Sequence, residues 1–209
     1  MTKVGAAGPL MHTAASPLSI ADKPQLSRQY ALLLRLQNAL SSEPRCLGAA
    51  AVGSLAEGRG DRMSDVDLVV YCEQGTAGSI LKNLSDVAAD RPVVHRLQGH
   101  HDASSVYEKV ILDDWSSYEL HVIEPATRMR LRPPYLALID RERNLETRLS
   151  HDKPIGRQTA TPYVNGDAGL VWELFNCLKW LRRGEVDFTS RYLQRLGEQL
   201  AQKGGAGEA

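Results

Sequence analysis

The chain has 209 residues, of which 43% are hydrophobic and 24% are charged, a composition typical of a globular protein with one or two domains. Its 25 basic and 25 acidic residues give a formal net charge of +0, which disfavours a dedicated polynucleotide binder because such proteins usually carry a basic surplus. Three widely spaced cysteines and the lack of a long apolar run argue against a disulfide framework, a zinc ribbon and a membrane span, so we expect a cytoplasmic protein.

The N-terminal segment, residues 1–25, is rich in small residues and lacks a continuous hydrophobic run. We therefore expect a flexible tail without a signal peptide. The segment that follows, residues 26–125, combines helical and strand-like hydrophobic patterns. Helical spacing is found at 26–41 and 77–90, and strand patterns at 64–72, 92–98, 106–114 and 118–124. The last two strands are predicted to form a hairpin, and residues 46–53 fit either a buried strand or a helix end.

The chain changes character after Pro125. Prolines and polar residues dominate up to residue 165, which predicts a connector with one short helix. Two helices are predicted over 168–183 and 188–202. In the first, an apolar stripe typical of a helix face packed in a core consists of Leu170, Val171, Leu174, Phe175, Leu178 and Leu181. This helical part, residues 126–203, is predicted to end in a disordered tail at 204–209.

One segment, GSLAEGRGDRMSDVDLVV from Gly53 to Val70, places two carboxylates inside a strand pattern. Because side chains alternate along a strand, Asp65 and Asp67 share one face, while the apolar residues next to them point to the other face, towards the core. Two carboxylates so close together repel each other, and a divalent cation relieves that repulsion. Magnesium fits best, since it accepts a few carboxylate oxygens and keeps sites for phosphate and water.

The start of the same segment favours a phosphate ligand. Gly53 lets the backbone approach a ligand closely, and the hydroxyl and amide of Ser54 can donate hydrogen bonds to phosphate oxygens. Phosphates beside carboxylate-bound magnesium are the components of phosphoryl or nucleotidyl transfer. An isolated Asp-x-Asp is more often an exposed strand with a turn, but the joint order of Gly, Ser and the two aspartates is more specific.

The order Val52-Gly53-Ser54, a spacer, and Asp65-Val66-Asp67-Leu68 resembles the signature of the polymerase-β-like nucleotidyltransferase superfamily. It looks most similar to the small-molecule members, including aminoglycoside and lincosamide adenylyltransferases. The resemblance implies an α+β fold. Residues 26–125 would form a nucleotidyltransferase domain with a small mixed β-sheet and flanking helices, and residues 126–203 a C-terminal helical domain that binds substrate.

The resemblance also implies a metal site. Two magnesium ions would be held by Asp65, Asp67 and a third acid from a later strand. Glu119 is the best match for that acid, with Asp113 and Asp114, at the hairpin turn, as rivals. The base that deprotonates the acceptor hydroxyl is left open between Glu124 and Glu119.

The implied nucleotide is ATP or another nucleoside triphosphate. Its binding residues would be Gly53, Ser54, Arg59, Arg62 and Ser64. The two arginines would supply positive charge, because the chain has Glu57 at a position where relatives often carry arginine.

The implied reaction is attack by an acceptor hydroxyl on the α-phosphate, with release of pyrophosphate. We expect transfer of AMP to a small molecule, with an aminoglycoside or lincosamide antibiotic as a candidate acceptor. Alternatives are a protein-modifying adenylyltransferase of the minimal antitoxin type and a catalytically silent nucleotide-binding member of the fold. An RNA acceptor is disfavoured by the net charge of +0, and the oligomeric state is left open.

Overall fold

The computed structural model describes residues 23–150 and 161–205. Most of the predicted N-terminal tail, residues 1–22, and the end of the predicted C-terminal tail, residues 206–209, lie outside the described residues. Within the described ranges, no helix has both the length and the apolar composition needed to cross a membrane.

Six helices and six strands are found in the described parts of the chain. The helices are α1 (Ser27–Ser41), α2 (Gly53–Ala56), α3 (Ala77–Ala88), α4 (Asn144–Thr147), α5 (Gly166–Arg182) and α6 (Val186–Gly205). The strands are β1 (Cys46–Val52), β2 (Val66–Cys72), β3 (Val93–Asp102), β4 (Ser105–Leu112), β5 (Ser117–Ile123) and β6 (Leu136–Asp140). Short 3-10 helices precede α1 at Pro24–Leu26 and α4 at Arg141–Arg143. Helix α6 extends two residues into the segment that was predicted to be a disordered tail.

The strands form one mixed sheet in the order β3-β4-β5-β2-β1-β6. Only β2 and β5 run parallel, and all other neighbours are antiparallel. The α+β fold and its mixed sheet are therefore confirmed, as is the hairpin between β4 and β5.

The sheet has one strand more than the sequence predicted. Residues 136–140 were assigned to a connector because prolines precede them, but they form the edge strand β6 against β1. An edge position tolerates nearby prolines, since one side of the strand needs no ladder hydrogen bonds. The segment that follows contains the short helix α4, as predicted.

The alternation predicted for β2 is observed. Val66, Leu68 and Val70 are at most 1% exposed and pack in the main core with α1 and α3. Asp67 and Val69 lie on the opposite face and are half-buried. The three cysteines are buried and free, as expected without a disulfide framework.

Helix α5 covers part of the face that carries Asp67, and it does so with a different stripe from the one predicted. Its buried residues include Trp172 and Phe175, which pack on side chains of β3 and β4, and Lys179. The predicted core stripe is wrong at four positions, where exposure lies between 42% and 51%: Val171, Leu174, Leu178 and Leu181. The side of the helix that faces the sheet therefore carries aromatic residues together with Lys179, which pairs there with Asp65.

Candidate active site

The sheet brings three acidic side chains to one point. Asp67 on β2 lies directly beside Glu119 on β5, because the two parallel strands pair in that register. Asp65 precedes Asp67 by two residues and so lies on the same face. One carboxylate oxygen from each of the three lies within 4.8 Å of the others. We call Asp65, Asp67 and Glu119 the acidic triad.

The turn from β1 into α2 is built against this triad. Val52, the last residue of β1, pairs with Asp67, and Gly53 follows with a φ of +67°. A Cβ atom at Gly53 would lie 2.3 Å from Oδ2 of Asp67. Only glycine combines this left-handed backbone with the absence of a side chain, so the turn and the carboxylate can be close together.

Two lysines form ion pairs with two members of the triad, Asp65 and Glu119. Nζ of Lys179, from α5, donates to both carboxylate oxygens of Asp65 at 2.8 and 2.7 Å, and its side chain is only 3% exposed. Nζ of Lys109, from β4, lies 2.7 Å from Glu119. Neither lysine was identified from the sequence, because each lies on a different element far along the chain from Asp65 and Asp67. The hydroxyl of Ser117 also donates a hydrogen bond to Asp65.

The triad carboxylates differ in how readily they ionise. Burial raises the pKa of Asp67 well above its usual value, and the negative charges of Glu119 and Asp65 raise it further. Burial also opposes ionisation of Glu119, but a hydrogen bond with His121 and the charge of Lys109 outweigh it and hold the pKa of Glu119 below its usual value. An added cation would therefore favour the ionised form of Asp67 more than that of the other two triad members.

The triad fits a magnesium ion by the chemistry of its donor atoms. Three carboxylates offer hard oxygen ligands within 4.8 Å of one another, and magnesium prefers a few such oxygens together with water and phosphate. The two lysines already at the cluster indicate that it attracts positive charge. Asp65, Asp67 and Glu119 are the residues that would hold the ion.

A cavity of about 320 Å³ opens beside the triad between the sheet and α5. Four of the five residues suggested for nucleotide binding line it, namely Gly53, Ser54, Arg59 and Ser64, together with Lys179 and Arg183. Arg62 is exposed and is not among the residues that line this cavity. Arg59 forms an ion pair with Glu57. The arginine thus neutralises the negative charge at position 57, where relatives often carry arginine.

The remaining predicted acids lie elsewhere. Glu124 follows the end of β5, and its carboxylate accepts hydrogen bonds from Gln74 at 2.6 Å and from the backbone N–H of Ala77, the first residue of α3, at 3.1 Å. It is five residues beyond Glu119, about 16 Å along the strand. Asp113 and Asp114 lie at the hairpin and form ion pairs with Arg91. Glu119 therefore lies beside Asp65 and Asp67, whereas Glu124, Asp113 and Asp114 do not.

Residues 35–131 match the family model described as a nucleotidyltransferase domain. This segment is less than half of the chain, and it is similar to nucleotidyltransferase domains. The triad and the Gly53–Ser54 turn lie inside the matched segment, whereas Lys179 lies outside it. No curated protein matches the chain.

Solved structures similar to this chain include the GLD-2/RNP-8 complex, at 22% identity and a TM-score of 0.35 over 47% of this chain and 37% of that one. Cid1 in complex with the UTP analogue UMPNPP matches at 17% identity and a TM-score of 0.36, over 50% of this chain and 31% of that one. The chain spans about a third of the length of these proteins.

We expect Gly53→Ala to disturb the turn between β1 and α2 and the carboxylate of Asp67 beside it. The added Cβ would meet Asp67 at 2.3 Å, so either the turn or the carboxylate must move, and a shift of this size at reacting groups costs about a hundredfold in rate. Gly58→Ala is the matched control, since Gly58 has a φ of +72° but nothing within 4 Å of its Cβ position. Equal turnover and equal thermal stability in the two variants would contradict this prediction.

The loop before the triad is attached to α5 by an ion pair with a defined pH dependence. Arg183 contacts both carboxylate oxygens of Asp61 at 2.7 and 2.9 Å, and these bonds lower the pKa of Asp61 from 3.8 to about 2. Because the folded-state pKa is lower, the stabilisation is present above pH 4 and is lost as the pH falls through about 2.

We therefore expect Asp61→Asn to lower the free energy of unfolding by about 1 kcal/mol at pH 7, as for a partly exposed pair, and to lose this effect as the pH falls below about 2. Denaturant unfolding at several pH values measures this difference. Asp90→Asn, which breaks the exposed pair with Arg35, is the control. A pH-independent effect of Asp61→Asn would show that the ion pair is not its cause.

Proposed function

We propose that this protein is a magnesium-dependent nucleotidyltransferase that transfers a nucleoside monophosphate, AMP from ATP, to a hydroxyl of a small molecule. One observation carries the proposal: the carboxylates of Asp65, Asp67 and Glu119 converge within 4.8 Å beside the Gly53–Ser54 turn. The match of residues 35–131 to the nucleotidyltransferase domain supports the same class of reaction.

The acidic triad would hold the metal. When bound, magnesium would lower the pKa of the acceptor hydroxyl and offset the negative charge of the triphosphate and of the leaving pyrophosphate. The unfavourable ionisation of Asp67 in the metal-free protein supports this assignment, since a cation there would relieve the repulsion.

The other residues of the cavity would bind the triphosphate. Ser54 offers donors, and Arg59 and Lys179 offer positive charge, which suits phosphate oxygens. In the reaction, the acceptor oxygen forms a bond to the α-phosphorus, and the bond from that phosphorus to the oxygen bridging the β-phosphate breaks. Pyrophosphate leaves, and the proton of the acceptor passes to a base. We assign this base to Glu119, because it lies beside Asp67, whereas Glu124 is five residues farther along and is hydrogen-bonded at the start of α3.

Incubation with magnesium and each of the four α-³²P-labelled nucleoside triphosphates tests the proposal. The acceptor panel would contain aminoglycosides, lincosamides, a small-molecule cell extract, RNA and lysate proteins. We expect label from ATP to appear on a small molecule together with equimolar pyrophosphate, and to require magnesium. Asp67→Asn serves as the inactive comparison.

The same panel separates the alternatives. Label on a protein would favour the protein-modifying reaction, and label on RNA would favour a terminal nucleotidyltransferase. Nucleotide binding by calorimetry with magnesium present, without transfer to any acceptor, would favour a catalytically silent nucleotide-binding member of the fold. Each of these results would overturn the proposed small-molecule reaction.

A further inference from the structure

A second cavity, of about 490 Å³, is lined by Gly53, by residues of β2 and by the segment 128–134. Gly53 lines both this cavity and the one that contains Asp65 and Asp67. The floor of the second cavity is formed by Val69 and Tyr71. These residues follow Asp67 on the same face of β2, at steps of about 7 Å. A hydroxyl bound in this cavity is therefore within reach of the triad.

The side chains that line this cavity carry mainly positive charge. Arg128, Arg130 and Arg132 line it, and we call it the arginine cavity. Within residues 23–150 and 161–203, none of the three arginine side chains has an ion pair or a hydrogen bond. Glu57 is the only carboxylate among the lining residues, and it is paired with Arg59. Three exposed guanidinium groups thus face the cavity without a matching anion in the described part of the chain.

The floor of the arginine cavity is apolar with one polar atom. Met129 and Leu131 pack with Tyr71 in a small hydrophobic cluster, and Tyr71 is 1% exposed. The hydroxyl of Tyr71 is buried and has no hydrogen-bond partner among the described residues. Burial raises the pKa of Tyr71 to about 12, so the phenol keeps its proton. A buried hydroxyl without a partner is costly, and a polar atom of a ligand would satisfy it.

From this arrangement we infer that the arginine cavity is the acceptor site, and that the acceptor is a small organic anion whose oxyanion group binds Arg128, Arg130 and Arg132. This inference rests on the proposed nucleotidyl transfer. Guanidinium groups bind phosphate and carboxylate with paired hydrogen bonds, so either group suits the site. The body of the acceptor lies on Tyr71 and its apolar neighbours, with its hydroxyl towards Gly53 and the triad.

This assignment narrows the substrate class. Aminoglycosides are polycations, and three arginines that have no ion pair among the described residues repel them. The cavity volume of about 490 Å³ lies within the usual range for small-molecule sites, roughly 300–1,000 Å³. Gly53 lines both cavities. In this assignment, the triphosphate binds on the side of α5 and the acceptor binds on the side of residues 128–134.

Binding is tested with a probe that needs no knowledge of the acceptor. The aromatic sulfonate 8-anilinonaphthalene-1-sulfonate combines an apolar body with an anion, and N-phenyl-1-naphthylamine is its uncharged counterpart. In the full-length protein, we expect the triple variant Arg128→Gln, Arg130→Gln, Arg132→Gln to bind the sulfonate at least about tenfold more weakly, with little change for the uncharged dye. The control Arg182→Gln, an exposed position on α5, should bind both dyes like the wild type.

Acceptor selection is tested with a small-molecule cell extract separated by charge. Labelled ATP, magnesium and each fraction are incubated with the protein, and we expect transfer in the fraction retained by an anion exchanger. Phosphatase treatment of that fraction distinguishes a phosphate-bearing acceptor from a carboxylate-bearing one. The triple variant should raise the KM for the acceptor at least about tenfold, whereas Arg182→Gln should not.

The two tests separate the inference from the proposed function. Transfer to a cationic or neutral fraction, or equal transfer by the triple variant, would overturn the inference while the nucleotidyltransferase activity stands. Absence of transfer in every fraction, with sulfonate binding still lost in the triple variant, would contradict the proposed reaction and leave the anion site supported. Equal sulfonate binding by wild type and triple variant would overturn the site itself.

Discussion

Replacing Asp67 with asparagine is expected to abolish nucleotidyl transfer and, at the same time, to stabilise the folded protein at neutral pH. The loss follows because the substitution removes a charged ligand from the centre of the triad, where Asp67 lies beside Glu119. Metal-dependent charge stabilisation contributes several kcal/mol, so a loss of about 4 kcal/mol corresponds to roughly a thousandfold in rate.

The gain in stability follows from the ionisation of Asp67. Burial and the charges of Glu119 and Asp65 raise its pKa in the folded state above the usual 3.8, so folding opposes its ionisation. The contribution of Asp67 to the free energy of unfolding is therefore fully present below a pH of about 4, where Asp67 is protonated. It is lost as the pH rises towards the folded-state pKa. An uncharged asparagine avoids that loss, and the increase in the free energy of unfolding should therefore be present at pH 7 and absent at pH 3.

Denaturant unfolding of the metal-free protein at both pH values measures this effect. Asp86→Asn is the control, because Asp86 forms only an exposed pair with Lys82 on α3. Undiminished turnover of Asp67→Asn would contradict the assigned triad. A loss of stability at pH 7 would contradict the account of its burial.

Replacing Lys179 with methionine is expected to have the opposite effect on the metal-free protein. The ammonium group of Lys179 binds both oxygens of Asp65 at 2.8 and 2.7 Å and is almost completely buried. Removing one partner of such a pair leaves an uncompensated carboxylate and costs about 3–5 kcal/mol. For a protein of this size, we expect Tm to fall by roughly 6–20 °C, and magnesium should restore part of the loss by neutralising Asp65.

A double-mutant cycle isolates this pair. Lys179→Met combined with Asp65→Asn removes both charges, and most of the lost stability should return. The control Lys82→Met breaks an exposed pair and should change the free energy of unfolding by less than about 1 kcal/mol. If the double variant is no more stable than Lys179→Met, the destabilisation has another cause than the unpaired charge.

The part of the site that sequence could predict is local. Alternation along one strand placed Asp65 and Asp67 on a shared face, and the structure has them there, with the apolar neighbours in the core. Glu119 was assigned by resemblance and strand pattern, and the register of β2 and β5 places it beside Asp67. A side-chain period of two needs only a few consecutive residues to be recognised.

The parts that were missed depend on contacts between distant segments. Lys179 fits the polar side of an amphipathic pattern, and nothing near it in the chain indicates that Asp65 lies opposite. The buried face of α5 was misassigned for a similar reason, because the segments that pack against a helix, and not hydrophobic periodicity alone, determine which face is buried. The position of Glu124 at the start of α3 likewise depends on packing between a strand end and a helix.

The parallel pairing of β2 with β5 has a consequence for how the protein acquires its activity during synthesis. The chain between these two strands contains α3, β3 and β4, and all of it must be made before Glu119 can reach Asp67. Pairing of segments far apart in sequence is slow, because the intervening loop must be closed first. A nascent chain that ends before β5 presents two aspartates without their third partner. Metal binding by the complete triad is therefore expected to appear late, when the sheet closes.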